Sequence, residues 1–370
     1  MTDHVQTVVV GAGVIGIAIA RALARSGHEV VILEAEEQIA QHTSSRNSGV
    51  IHAGIYYAPQ SLRARLCVSG KAMLYEYCKS RHVPYEKTGK LIVTTAPEQL
   101  GRLAALVKNA RASGVDDLRI ISADEAVALE PELACYGAIT SPSTGIVDAP
   151  ALILSLLGEA EAFGAIVALG SKLQQVAPVT EGFQLQIDET SLTCSNLVNA
   201  AGLGAWGVAR CFDGYPEALI PPQFFAKGRW YITGGKLPFQ RLIYPMTDGN
   251  SLGVHFTRDL GGGFRFGPDL QYLDTPKVDY TMGESRAQAF EDSIARWWPG
   301  VPKGRMQPDS SGIRPRVTRA GTAQSDYHFA GPAEHGYKGL VHLFGMESPG
   351  LTSCLAIGEH VMEMVEGTKE

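Results

Sequence analysis

The chain holds six cysteines, and none is spaced as a ligand or a bridge would be. Cys67, Cys78, Cys135, Cys194, Cys211 and Cys354 form no C-x-x-C pair and no His/Cys ligand pattern. That excludes zinc, an iron–sulfur cluster and a disulfide scaffold, and it points to a reducing compartment. No apolar run approaches the roughly twenty residues of a bilayer-spanning helix. Basic runs are missing as well: 32 Lys and Arg stand against 38 Asp and Glu, for a net charge of −6, so nucleic acid is not an expected partner. Internal repeats and low-complexity linkers are absent. With a first strand expected within a few residues of Met1, no signal peptide is expected. The expectation is a cytoplasmic protein, with peripheral attachment to the inner membrane left open. What remains is 370 residues of ordinary globular composition, long enough for two domains.

Glycine is plentiful, and its first cluster is the most informative. Val8-Val9-Val10 reads as a buried strand, followed by Gly11-Ala12-Gly13-Val14-Ile15-Gly16 and an apolar helical run to Arg25. Gly11 permits the tight turn, Gly13 lets a pyrophosphate approach the backbone, and Gly16 brings the helix onto the sheet. The helix start, with Val14 and Ile15, offers unpaired N–H groups and a positive dipole end. A second strand, Glu29 to Leu33, ends in Glu34 and Ala35, where a carboxylate can accept both hydroxyls of an adenosine ribose. Strand, turn, helix, strand and acid in that order predict a dinucleotide site.

Further strands are expected at Leu91–Thr95, Ala165–Leu169, Gln184–Ile187, Asn196–Asn199 and Leu340–Phe344, with helices over Leu62–Lys79, Pro97–Ser113, Ala149–Gly164 and Leu351–Val365. Ser122 to Glu125 resembles a capping box whose helix stops near Pro131. Between Cys211 and Pro308 the composition shifts to aromatics, prolines and glycines with strand-like alternation. The fold class is therefore α/β: a Rossmann-type nucleotide domain with an inserted, mostly antiparallel α+β domain. Residues 1–84, 142–212 and 308–370 are assigned to the first, and 85–141 and 213–307 to the second.

The fingerprint, Glu34, the block S-S-R-N-S-G-V-I-H-A-G-I-Y-Y from Ser44 to Tyr57, N-A-A-G-L-G-A-W from Asn199, and E-S-P-G-L-T from Glu347 resemble the D-amino-acid-oxidase superfamily of FAD-dependent oxidoreductases. Within it, I-H-A-G-I-Y-Y and L-G-V-H-F-T (from Leu252) are similar to L-2-hydroxyglutarate dehydrogenases. The resemblance covers nearly the whole chain. It implies FAD, held without a covalent tether, and oxidation of a small L-2-hydroxy acid by hydride transfer from Cα to flavin N5. Two departures concern the substrate: Phe225-Ala226-Lys227-Gly228-Arg229-Trp230-Tyr231 stands where those enzymes carry a P-F-R-G-E-Y-Y-like segment, and Glu347 stands in an asparagine place.

The resemblance assigns cofactor contacts to Ser44, Ser45, Arg46, Asn47, Ser48, Gly49 and Val50 around pyrophosphate and ribityl oxygens. Arg46 either neutralises phosphate or faces solvent. Val176 is expected at the adenine, though a valine there also suits a core. Ala200, Ala201, Gly202 and Trp206 form a turn passing the cofactor. Gly312, Ile313, Arg314, Ser348, Pro349, Gly350, Leu351 and Thr352 line the isoalloxazine and lead into the last helix. His52 and His255 are candidates for taking the hydroxyl proton. Tyr57, Lys227, Tyr244 and Arg314 are candidates for holding the small-molecule carboxylate. The electron acceptor is left as a quinone, an electron-transfer protein or oxygen. The alternatives are amino-acid or N-methyl-amino-acid oxidation on the same fold and a non-catalytic flavin-binding subunit.

Overall fold

The computed structural model describes residues 3–246, 253–319, 321–322 and 326–367; Leu252 of the L-G-V-H-F-T segment lies outside them. The β-branched strand Asp3–Val10 sits at the centre of the first sheet, parallel to Val30–Leu33 on one side and Thr190–Asn199 on the other. Ile166–Ala168 and Leu340–Phe344 extend it outward, also in parallel. Gly182–Ile187 and Leu173–Val179 add an antiparallel flank. Val30–Leu33, Leu340–Phe344 and the carboxyl-terminal halves of Asp3–Val10 and Thr190–Asn199 are mostly buried, as a sheet covered on both faces requires.

Helix Val14–Arg25 lies between that sheet and two further helices, Ala149–Ala162 and Gly350–Val365, and is buried along almost its whole length. Small residues set the crossing distances. A Cβ on Gly358 would lie 2.6 Å from Ala18 O, and one on Gly70 of helix Leu62–Arg81 would lie 2.7 Å from Thr352 O. These contacts fix where the last helix begins, and therefore what its start faces.

The second sheet runs Gln271–Tyr272, Phe224–Ile232, Phe264–Gly267, His255–Arg258, Leu242–Pro245, Lys90–Val93, Gly137–Ser141, Arg119–Ser122. All its pairings are antiparallel except Leu242–Pro245 with Lys90–Val93. The Ser122–Glu125 capping box is present, and its helix ends at Leu129. Strand Gln307–Arg316 pairs along Phe224–Ile232. The segment after residue 308, assigned above to the nucleotide domain, thus belongs to the second sheet as far as Arg316. Its pairing of Arg314 with Ala226 and of Pro315 with Phe225 carries the chain across before it returns. A small three-stranded sheet of Val50–Ile51, Gly145–Val147 and Tyr85–Glu86 joins the two parts.

Candidate active site

A cavity of about 800 Å³ runs from the glycine turn to the face of the second sheet. At one end the backbone is shaped by contact. Gly11 has φ +105°, and a Cβ there would lie 2.8 Å from Ala200 O; a Cβ on Gly16 would lie 1.9 Å from Gly11 O. No other residue fits either place. Glu34 is fixed by two backbone donors, Ala12 N at 2.7 Å to Oε2 and Glu36 N at 3.0 Å to Oε1, and faces the same cavity. Both oxygens retain lone pairs for ribose hydroxyls. Ser44 Oγ accepts from Val14 N at 3.0 Å, and Asn47 braces its loop by donating to Ser44 O and accepting from Gly49 N. A helix start, a fixed carboxylate and a glycine cradle are the donor set a dinucleotide needs.

Most of the expected cofactor residues line this cavity: Gly11, Gly13, Val14, Ile15, Glu34, Ala35, Ser44, Arg46 to Val50, Ala200 to Gly202, Gly312 to Arg314, and Ser348 to Leu351. Four stand elsewhere. Ser45 is exposed, and its hydroxyl donates to His42 O. Val176 is fully buried, and both of its backbone groups are engaged, the N–H with Cys211 O and the carbonyl with Asp213 N. The cavity beyond Glu34 is lined instead by Ser171 to Gln174, which follow strand Ile166–Ala168. Trp206 is core, its indole donating to Pro221 O at 2.7 Å. Thr352 lies behind the lining, where Oγ1 accepts from His52 N at 2.9 Å and fixes that residue's backbone. Arg46, which lines the cavity, is held over the Tyr280 ring at 3.8 Å and donates to Ser311 O.

The residues expected to act on a substrate gather toward the second sheet. His52, Tyr244, His255 and Arg314 all line it. Ile243 pairs with Phe256, so Tyr244 and His255 are cross-strand neighbours; their rings stack at 3.6 Å. His52 Nε2 lies 3.3 Å from Ser348 Oγ, and the Tyr57 hydroxyl also bonds Ser348. Tyr57 is thus one residue behind the lining. Burial, with the charges of Lys90, His255 and Arg314, lowers the His52 pKa to about 3 and keeps its imidazole neutral. Lys227 is not at the cavity. Its ammonium is buried and bonded to Asp279 Oδ2 at 2.7 Å and Thr281 O at 3.0 Å, so it fastens the loop after Tyr272.

Glu347 was not anticipated as part of the site. It is buried, lines the cavity, and is met by three guanidinium groups: Arg316 Nε at 2.9 Å, Arg314 Nη1 at 3.4 Å and Arg63 Nη1 at 3.5 Å. Arg63 and Arg316 are engaged on further partners, Gly345 O and Ser348 O for one and the Tyr272 hydroxyl for the other. Arg314 is the most exposed of the three and opens to the cavity. Three cations on one anion leave a positive excess beside the histidines, which suits an incoming carboxylate. The E-S-P-G sequence drew attention to the turn, but a lone acid gave no sign of three arginines converging from distant segments.

This geometry is that of a dinucleotide-binding α/β protein whose cavity also carries an arginine–glutamate cluster. The chain belongs to the family described as FAD dependent oxidoreductase (DAO), which matches residues 6–364, and its cofactor is FAD. Its relatives include the mitochondrial L-2-hydroxyglutarate dehydrogenase of Arabidopsis thaliana, 36% identical over 97% of this chain and 83% of that protein. The human mitochondrial enzyme of the same name is 33% identical over 99% and 89%. Among solved structures, an FAD-bound L-alpha-glycerophosphate oxidase from Mycoplasma pneumoniae superposes with a TM-score of 0.89 at 21% identity, covering 98% of this chain and 95% of that one. Glycine oxidase from Geobacillus kaustophilus gives 0.84 at 21%, covering 100% and 96%. These two establish the shared fold.

Proposed function

We propose that the chain oxidises the Cα–OH of L-2-hydroxyglutarate, or a closely similar L-2-hydroxy acid, to the 2-oxo acid. The observation that carries this reading is the meeting of Arg314 with two histidines at one end of the cavity. A carboxylate on Arg314 accepts two parallel hydrogen bonds, which orients the adjoining carbon. His255, stacked flat on Tyr244, takes the hydroxyl proton on a ring nitrogen. His52, kept neutral by burial, holds the hydroxyl by a hydrogen bond and keeps positive charge away from the carbon that becomes electron-poor. Ser348 and Thr352 fix its ring and its backbone. Bound FAD supplies the two-electron acceptor. The names of the curated relatives support the substrate, and Glu347 in an asparagine place marks where this chain's recognition differs.

The test is anaerobic bleaching of the flavin. Reduction by L-2-hydroxyglutarate, with amino and N-methyl acids inert, is the expected result; the reverse pattern replaces this reading with amine oxidation. Stopped-flow reoxidation by a quinone, an electron-transfer protein and oxygen in turn identifies the acceptor. Among the described residues no helix is long and apolar enough to cross a membrane. Six free cysteines suit the reducing cytoplasm, while the plant and human relatives are named as mitochondrial; cell fractionation separates these.

A further inference from the structure

Lys227, a candidate for holding a substrate carboxylate, is bound to Asp279, so a dicarboxylic substrate needs another cation beside Arg314. Five cationic side chains are buried among the described residues: Arg21, Arg63, Lys90, Lys227 and Arg229. Four have a carboxylate partner, respectively Glu159, Glu347, Asp279 and Asp269 for Arg21, Arg63, Lys227 and Arg229. Lys90 has none among the described residues, yet it is only 1% exposed. Leaving a buried charge unpaired is unfavourable, and an apolar side chain of the same length would serve packing better.

Its position is specific. Lys90 pairs in register with Leu242, two residues before Tyr244, and His255 lies on Tyr244's other side. Tyr244 itself pairs with Ile92, so Lys90 lies diagonally from Tyr244 on the same face of three adjacent strands; Tyr244 and His255 line the cavity, and Lys90 stands directly behind them. The ammonium lies 4.6 Å from the Tyr244 ring centroid and 5.0 Å from that of Tyr56. Two aromatic faces partly offset its desolvation and leave it without an anion. In a site of low polarity, a charge several ångströms away still acts strongly on a ligand.

We propose that Lys90 is the counter-charge for the second carboxylate of a dicarboxylic 2-hydroxy acid, drawn to the Tyr244 wall while the first carboxylate sits on Arg314. This rests on the 2-hydroxy-acid reading above and deepens it: Lys90 supplies the preference for a diacid. Burial lowers the Lys90 pKa to about 7, so a dianion arriving at pH 8 brings a proton with it, whereas a monoanion leaves the amine neutral.

Flavin reduction is measured anaerobically with L-2-hydroxyglutarate and L-2-hydroxybutyrate for wild type, Lys90→Met and Lys90→Arg. The ratio of kcat/KM for diacid over monoacid falls about 100-fold in Lys90→Met and recovers to within about tenfold in Lys90→Arg. An unchanged ratio in Lys90→Met overturns the proposal, because a merely structural lysine would affect both acids alike. A wild type reduced by neither acid would instead sink the 2-hydroxy-acid reading itself. If Lys90→Met does not fold, calorimetric titration of the wild type decides. At pH 8, in buffers of different ionisation enthalpy, glutarate takes up more protons than butyrate, by up to about one; equal uptake overturns the assignment.

Discussion

Arg314 and Glu347 meet at 3.4 Å on the cavity wall, and the carboxylate that holds Arg314 is shared with Arg63 and Arg316. Arg314 is thereby oriented and leaves most of its fork for a ligand. The three arginines come from helix Leu62–Arg81 and strand Gln307–Arg316, so one buried acid ties the two parts of the molecule together at the substrate end.

Removing that acid should be costly. Glu347→Gln leaves three guanidinium groups without their anion, and breaking such a buried network costs about 3–5 kcal/mol, read by chemical denaturation. Burial alone would raise the Glu347 pKa, but Arg63, Arg314 and Arg316 outweigh it and hold the value below the ordinary one. A depressed carboxyl contributes stability above its unfolded pKa of about 4.3, lost as pH falls through the lower folded value. The glutamine variant should lack that acid-sensitive component. Equal acid sensitivity in both proteins would count against this account.

Glu34→Ala should weaken FAD retention without unfolding the protein. A charge-assisted hydrogen bond is worth about 1.5–3 kcal/mol, so dissociation should tighten or loosen by about 10- to 100-fold with the carboxylate's presence or absence. Full FAD occupancy of the variant after extensive dialysis would refute the ribose assignment.

Lys227 and Asp279 should behave as one strap. Lys227→Met and Asp279→Ala are expected to loosen the same loop, whose Tyr280 also contacts His42 and Arg46. The double variant should then add little to either single change. A raised KM in Lys227→Met alone, with Asp279→Ala silent, would return Lys227 to the substrate.

The nucleotide end was legible because its demands are local. Gly11, Gly13, Gly16 and Glu34 lie within one strand–helix–strand unit, and each residue type answers a backbone or ribose requirement that spacing alone expresses. The substrate end is assembled from segments far apart in the chain. Tyr244 and His255 meet only through the register of two strands, Lys90 joins them through a parallel pairing, and Lys227 was misassigned because its partner Asp279 lies on an irregular loop 52 residues away. Val176 lies off the cavity for a related reason: nothing in the local sequence discloses that its backbone groups bond Cys211 and Asp213.

The two histidines should separate by their response to pH. Burial first, then the charges of Lys90, His255 and Arg314, lowers the His52 pKa to about 3, so His52 stays neutral across the working range. A loss of flavin reduction on acidification above about pH 5 therefore cannot arise from His52. His255→Asn should slow reduction by about 10²–10⁴-fold, with a much smaller change in substrate Kd. His52→Asn should slow reduction less. Because a histidine held neutral in the folded state resists a proton that the unfolded chain accepts below about 6.5, wild-type stability should also fall as pH drops from there towards 3. His52→Asn should flatten that slope. A larger loss of reduction rate in His52→Asn than in His255→Asn would exchange the two roles.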